Sequence, residues 1–252
     1  MSARKLGGKA FSSAVAAGMV VLLSGSMALA VPTTAWGAPR TIVHSTSFAG
    51  YSASITSTVS TVTGTLSVPT FTCPATGYVD LSSGVFLSGS SSMYAETFVL
   101  CDDGTMPQPP LFEVGVYGGM STYGSNGDLF VSPGDKLSFT MSANGTTDTL
   151  TGVIKDKTTG FGASASGPGS LQSVTAPTVN VQAGTTATGD GATPTAVPSF
   201  TPGITIGTLK FGTSLLSAFG PTESEMFNGT TLLISTSKIG TGGSFTNGFV
   251  HS

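Results

Sequence analysis

The sequence is poor in almost everything that common catalytic machinery uses. Its 252 residues include two histidines, two cysteines and one tryptophan, and only 8% of them are charged. His44 and His251 sit near opposite ends, so a Ser-His-Asp triad is hard to assemble. There is no G-x-S-x-G elbow, phosphate-binding glycine loop or H-E-x-x-H zinc helix. Neither histidine lies near Cys73 or Cys101, so no metal site and no cofactor are expected. Lysine and arginine are too few and too scattered to neutralise a phosphate backbone, which argues against nucleic acid as a partner. Any reaction must then run on carboxylates, amides and hydroxyls. The acidic residues away from obvious turns are Asp80, Glu96, Glu113, Glu223 and Glu225.

What is present starts with a leader. Arg4, Lys5 and Lys9 precede an uncharged stretch that closes on Ala28-Leu29-Ala30. A basic segment, an apolar segment and an A-x-A site read as a signal peptide over 1–30. A membrane anchor is the competing reading, but serines and glycines break the apolar part and no second apolar span follows. An N-terminal linker over 31–40 and one β domain over 41–252 are expected after it. The expected product is secreted, extracellular, without a membrane span after processing, and monomeric. Once the leader is removed, six of the nine basic residues remain against 12 acidic ones. In an exported chain Cys73 and Cys101 are expected to form one disulfide, closing a loop of about 28 residues and contributing about 3–4 kcal/mol.

No helical period is sustained. Strand periodicity recurs instead: Val62, Gly64, Leu66 and Val68; Val85 and Leu87; Phe112, Val114 and Val116; Leu137, Phe139 and Met141; Leu150, Gly152 and Ile154. Further runs cover 204–211, 230–236 and 245–250. Pro133-Gly134-Asp135 reads as a turn. Asn144-Gly145 reads as a tight hairpin turn with both central residues at positive φ. Asn144 and Asn228 each start an Asn-Gly-Thr sequon, which also fits plain turn asparagines. Many short strands at close spacing predict an all-β fold, a sandwich of two antiparallel sheets. The span of about 160–203, rich in Gly, Thr, Ala and Pro, reads as a flexible insertion.

The order of short motifs resembles the glutamic peptidases, the eqolisin family (G1, formerly A4). Residues 45–51 (STSFAGY) are similar to that family's N-W-A-G-Y opening, and 62–70 (VTGTLSVPT) to its V-x-G-x-W-x-V-P strand. Residues 84–89 (GVFLSG) resemble its W-V-G-(I/L)-D-G strand. Ser132-Pro133-Gly134-Asp135 and the stretch to Gly160 resemble its S-P-G-D and D-x-T-T-G blocks. Cys73 and Cys101 sit where many bacterial members carry a cysteine pair. The resemblance covers roughly 41–250. It implies a lectin- or glucanase-like jelly roll of two curved sheets and proteolysis at acid pH by a Gln and a Glu. The carboxylate would activate water and the amide would donate to the developing oxyanion.

The sequence departs from that pattern where the chemistry should lie. The family Gln precedes the second cysteine, but 93–101 (MYAETFVLC) holds no Gln, and Glu96 is its nearest polar residue. The family Glu lies in a strand like A-E-W-I-x-E, but 176–182 (APTVNVQ) puts Thr178 and Gln182 at the two Glu positions. The W-Y-E block matches 111–117 (LFEVGVY) without its tryptophan, and the one tryptophan, Trp36, precedes the domain. Two readings stay open. In the first, Glu96 and Gln182 form a swapped catalytic pair acting on a peptide or protein substrate. In the second, the chain is a non-catalytic secreted binding or surface protein that holds a polysaccharide or peptide.

Overall fold

The protein is described by a computed structural model covering residues 41–117, 125–174, 176–189, 194 and 196–250. The expected leader, the linker with Trp36, and His251 lie outside the described residues. The first strands are β1 (Ile42–Ser45), β2 (Phe48–Ile55), β3 (Thr61–Ser67), β4 (Thr70–Thr72), β5 (Tyr78–Ser88) and β6 (Ser92–Asp102). Next come β7 (Leu111–Tyr117), β8 (Ser125–Phe130), β9 (Lys136–Asn144), β10 (Thr149–Asp156), β11 (Gly162–Pro168) and β12 (Val179–Gly189). The last are β13 (Ser199–Thr201), β14 (Ile204–Phe211), β15 (Ser214–Leu215), β16 (Thr222–Asn228), β17 (Thr231–Thr236) and β18 (Phe245–Phe249). Among the described residues no helix is long and apolar enough to cross a membrane.

Alternation makes these segments strands and decides which side they bury. In β9, Leu137, Phe139 and Met141 are buried while Ser138, Thr140 and Ser142 are less so, as the period of two requires. The same holds for Val62, Gly64 and Leu66 in β3, while in β7 Phe112, Val114 and Val116 are buried on the inward face and Leu111 and Gly115 are covered as well. Hydrogen bonding follows one path, β11-β10-β9-β3-β14-β18-β17-β16-β2-β12-β5-β6-β7-β8, with β15 beside β14 and β1 beside β16. Neighbours on the path are antiparallel, and β1 joins β16 in parallel. The path doubles back, so that β9, β10 and β11 lie across from β6, β7 and β8 without pairing with them. The result is a two-layer antiparallel β-sandwich. Leu87, Met93, Phe112 and Val114 of one layer share a buried cluster with Leu137, Met141, Leu150 and Ile154 of the other. Each such side chain contributes about 1.5–3 kcal/mol by leaving water. Cys73, just past β4, is disulfide-bonded to Cys101 of β6, with Cα atoms 5.4 Å apart.

Two expectations are corrected. The span of about 160–203 is not a bare insertion: it holds β11, β13 and β12, and β12 lies inside the sheet between β2 and β5. Its inward residues (Val179, Val181, Ala183, Thr185, Ala187) carry little apolar bulk yet are all buried, while Asn180, Gln182, Thr186 and Thr188 alternate with them on the wetter face. The Asn144-Gly145 turn is not a two-residue one. Asn144 pairs with Thr149, leaving a four-residue loop in which Asp148, not Asn144 or Gly145, takes positive φ (45°). Asn144 Oδ1 accepts from the amides of Thr146 (3.0 Å) and Thr147 (3.4 Å), and this side-chain cap stabilises the wider turn.

Candidate functional site

The strands β2, β12, β5, β6, β7 and β8 are consecutive in the sheet, and their registers align one residue from each. Gly50 pairs with Gly184, Gly184 with Gly84, Gly84 with Glu96, Glu96 with Glu113 and Glu113 with Asp128. Residues directly opposite in register share a face. In β6 the inward face is Met93, Ala95, Thr97, Val99 and Cys101, which turns Glu96 outward. In β5 and β12 the inward residues are Val85 and Leu87, and Val181 and Ala183, which turns Gly84 and Gly184 outward. The outer face therefore carries a line of three glycines that ends in three carboxylates.

The glycines answer a steric demand. A Cβ on Gly84 would stand 2.1 Å from the carbonyl oxygen of Ala95 and 2.5 Å from Cα of Glu96. One on Gly184 would stand 2.1 Å from the carbonyl oxygen of Ala49. Strands that come this close leave no space for a side chain. Gly84 and Gly184 floor a shallow, solvent-open depression of about 20 Å³, room for little more than a water. Phe48, Phe86, Ser82 and Thr186 form its sides. Glu96 and Gln182 both line it. One strand, β5, separates theirs, so the strand axes stand about 10 Å apart, with Gln182 level with Phe86 and Glu96 level with Gly84, two residues along β5.

Behind the floor the core is polar. Ser83 Oγ donates to Thr185 Oγ1 (3.0 Å), Thr97 Oγ1 to the Ser83 carbonyl (3.2 Å), and Asn247 Nδ2 to both Thr185 Oγ1 (2.9 Å) and the Ala49 carbonyl (2.8 Å). These bonds tie β2, β5, β6, β12 and β18 together directly beneath the glycine line and fix its shape.

The electrostatics are set by burial among like charges. Glu96 keeps some contact with water at the mouth of the depression, but protein atoms enclose the rest of it. Burial, and then the charge of Glu113, push its carboxyl up to about 7, against a hydrogen bond from Ser82 that favours the ionised form. Glu113 is raised too, first by burial and then by Asp128. Tyr94, beside Glu96 on β6, is held well above the ordinary phenol range by burial and by its contact with Tyr117. The Tyr94 and Tyr117 rings are stacked, with centroids 5.8 Å apart. Among the described residues, no group of three or more His, Cys, Asp or Glu is arranged to hold a metal ion.

Of the other acidic candidates, Glu223 is buried and accepts a hydrogen bond from Tyr51 (3.0 Å), a structural contact away from the depression. Glu225 lies opposite His44 in the β1–β16 pair, and Asp80 lies further along β5. Three features escaped the sequence reading: the glycine line, the side walls from Phe48, Ser82 and Thr186, and the pairing of Glu113 with Glu96. Isolated glycines within strands were the available signal, since a glycine there marks close backbone approach. Their alignment depends on register, which single strands do not state.

No family model matches the chain, and no curated protein matches it in sequence. Among solved structures, it is similar to scytalido-glutamic peptidase crystallised with a peptide-based transition state analog: TM-score 0.57, 16% identity, covering 81% of this chain and 98% of that one. A second crystal structure of scytalido-glutamic peptidase, with a transition state analog inhibitor, gives TM-score 0.55 at 16% identity, with 81% and 98% coverage. At this identity the likeness is one of fold.

Proposed function

We propose that the chain is a secreted, metal-independent endopeptidase in which Glu96 and Gln182 act on a peptide bond lying over the glycine-floored depression. The observation that carries this reading is that one carboxylate and one carboxamide, from strands separated by β5, line the same solvent-open hollow. Ionised Glu96 takes a proton from water, and the oxygen adds to the carbonyl carbon. The C=O electron pair moves onto oxygen, where the Gln182 amide donates a hydrogen bond. Collapse expels the amine, which receives the proton from Glu96. The chemistry balances without a metal or cofactor. The fold likeness to a peptidase crystallised with a peptide-based transition state analog supports the substrate class. The sequence's leader and the disulfide support export.

The electrostatics change one part of the expectation. A base with its midpoint at about 7 is only about one part in a thousand ionised at pH 4. Activity that depends on Glu96 as a base rises towards neutral pH, instead of peaking in strong acid.

The test is casein cleavage by the secreted chain from pH 3 to 9, with pepstatin and a chelator present. Glu96→Gln is expected to lower kcat by about a thousandfold or more, and Gln182→Ala by about a hundredfold, both at unchanged thermal stability at pH 4. If cleavage is absent, or persists unchanged in Glu96→Gln, the endopeptidase reading falls. The non-catalytic binding protein then takes its place.

A further inference from the structure

The outer face around Glu96 has an unusual charge inventory. Glu96 on β6, Glu113 on β7 and Asp128 on β8 are direct cross-strand neighbours in sequence of strands. Such neighbours have Cα atoms about 4.5–5.5 Å apart. The other titratable groups on that face are Tyr94 and Asp102 on β6, Tyr117 on β7, and Tyr78 and Asp80 on β5, with the Tyr78–Asp102 pair at the far end of the β5–β6 ladder. None of β2, β5, β6, β7, β8 and β12 contains Lys, Arg or His, so no cation on these strands balances the carboxylates. On the other side of Glu96 lie Gly84, which has no side chain, and Ser82, which offers one hydroxyl donor.

Two adjacent, partly enclosed carboxylates without a cation do not both ionise near neutrality. We propose that Glu96 and Glu113 hold a single proton between them, with Glu113 as the positioning residue that governs which form of Glu96 faces the depression. The inference rests on the reading of Glu96 as the working carboxylate. Glu113 does not line the depression and touches no substrate in this scheme. It acts through Glu96: while Glu113 is ionised, Glu96 keeps its proton, and when Glu113 takes the proton, Glu96 is released as the base. Asp128, at the exposed edge, acts mainly on Glu113 and only weakly on Glu96, because a strand lies between. The arrangement gives a weakly charged protein a carboxylate that switches near neutral pH without histidine.

The test is a carboxyl carbon NMR titration of the full secreted chain, read at Glu96 and Glu113, in wild type, Glu113→Gln, Glu96→Gln and Asp128→Asn. In wild type, both signals are expected to report both steps of one coupled titration. In Glu113→Gln, Glu96 is expected to titrate in a single step with about tenfold weaker proton affinity, and in Glu96→Gln the change appears at Glu113. Asp128→Asn shifts Glu113 more than Glu96. The pH limb of cleavage in Glu113→Gln moves acidward with the Glu96 signal, and Glu113→Asp restores the wild-type limb in part. Independent single-step titrations in wild type overturn proton sharing, even if no variant folds. An unmoved Glu96 midpoint in a folded Glu113→Gln overturns it as well. If the coupling is present but cleavage does not depend on Glu96, proton sharing stands and the endopeptidase reading falls on its own.

Discussion

Asp156 and Glu96 are both enclosed carboxyls near the end or middle of a strand, and they have been driven in opposite directions. Burial pushes each towards its neutral form. At Asp156, the end of β10, hydrogen bonds reverse that push. Thr159 Oγ1 donates to Oδ2, the Thr158 amide donates to Oδ1 at 2.7 Å, and the carboxyl sits below its ordinary range. At Glu96 burial is opposed by one hydroxyl and reinforced by Glu113, so the carboxyl rises to about 7. Burial alone therefore does not decide the state of a carboxyl. The number of donors aimed at the charged form does. The turn after β10 provides several and fixes a structure, while the glycine-floored face provides few and leaves a proton available.

The sharpest way to break the difference is to refill the floor. Gly84→Ala places a methyl 2.1 Å from the Ala95 carbonyl oxygen, which is backbone and cannot swing aside. Separating β5 from β6 is expected to cost about 3 kcal/mol or more in urea unfolding, and to abolish Glu96-dependent cleavage. At the other region, Asp156→Ala leaves the donors of Thr158 and Thr159 without their acceptor. The expected cost is about 2–3 kcal/mol at pH 7. The group is depressed in the folded chain, so its contribution is full above the ordinary carboxyl value of 3.8 and is lost as pH falls through its lower folded value. The gap between wild type and Asp156→Ala therefore narrows in strong acid.

Glu96 predicts the opposite slope. Its folded value lies above the ordinary 4.5, so between about 4.5 and about 7 the folded chain holds a proton that the unfolded chain has released. Stability falls as pH rises through that window. Glu96→Gln removes the term: it should match wild type in melting temperature at pH 4. At pH 8 it should be more stable by about 2 kcal/mol, after allowing for solvent at the mouth of the depression. Equal melting curves at both pH values would show that Glu96 is not held in its protonated form.

The two regions also differ in how far the sequence alone describes them. In β9 and β10 the inward residues Leu137, Phe139, Met141, Leu150 and Ile154 stand at period two, and all are buried. The Pro133-Gly134-Asp135 turn forms as read, with Gly134 at φ 92° and Asp135 Oδ2 accepting from the Ser132 amide at 2.7 Å. Short-range chemistry suffices there, because each signal and its consequence lie within a few residues. The candidate site is made from six strands drawn from residues 48 to 189, and what matters is which residue stands opposite which. Glu96 and Gln182 were legible as residues through the family resemblance. That they border one hollow, and that Glu113 is the neighbour of Glu96, was not. Composition hides β12 for a related reason, although the resemblance sets 176–182 against a strand: a run of Val, Ala, Gly and Thr carries little periodic contrast until its neighbours on both sides are known.

The smallest expected effects come from the β9–β10 loop, and there they discriminate between two turns of different geometry. A tight two-residue turn would require positive φ at Asn144 and Gly145, so Gly145→Ala would cost more than about 1 kcal/mol and Asn144→Ala would lose only a local preference. In the four-residue loop the roles are reversed. Gly145 is not at positive φ and a Cβ there meets nothing within 4 Å, so Gly145→Ala should stay within about 0.5 kcal/mol of wild type. Asn144 supplies the acceptor for two amides, so Asn144→Ala should cost about 1 kcal/mol. The left-handed position belongs to Asp148, where Asp148→Gly relieves backbone strain and should be neutral or slightly stabilising. Urea unfolding of these three variants reads the turn directly: a Gly145→Ala loss larger than that of Asn144→Ala would restore the tight turn and refute the wider one.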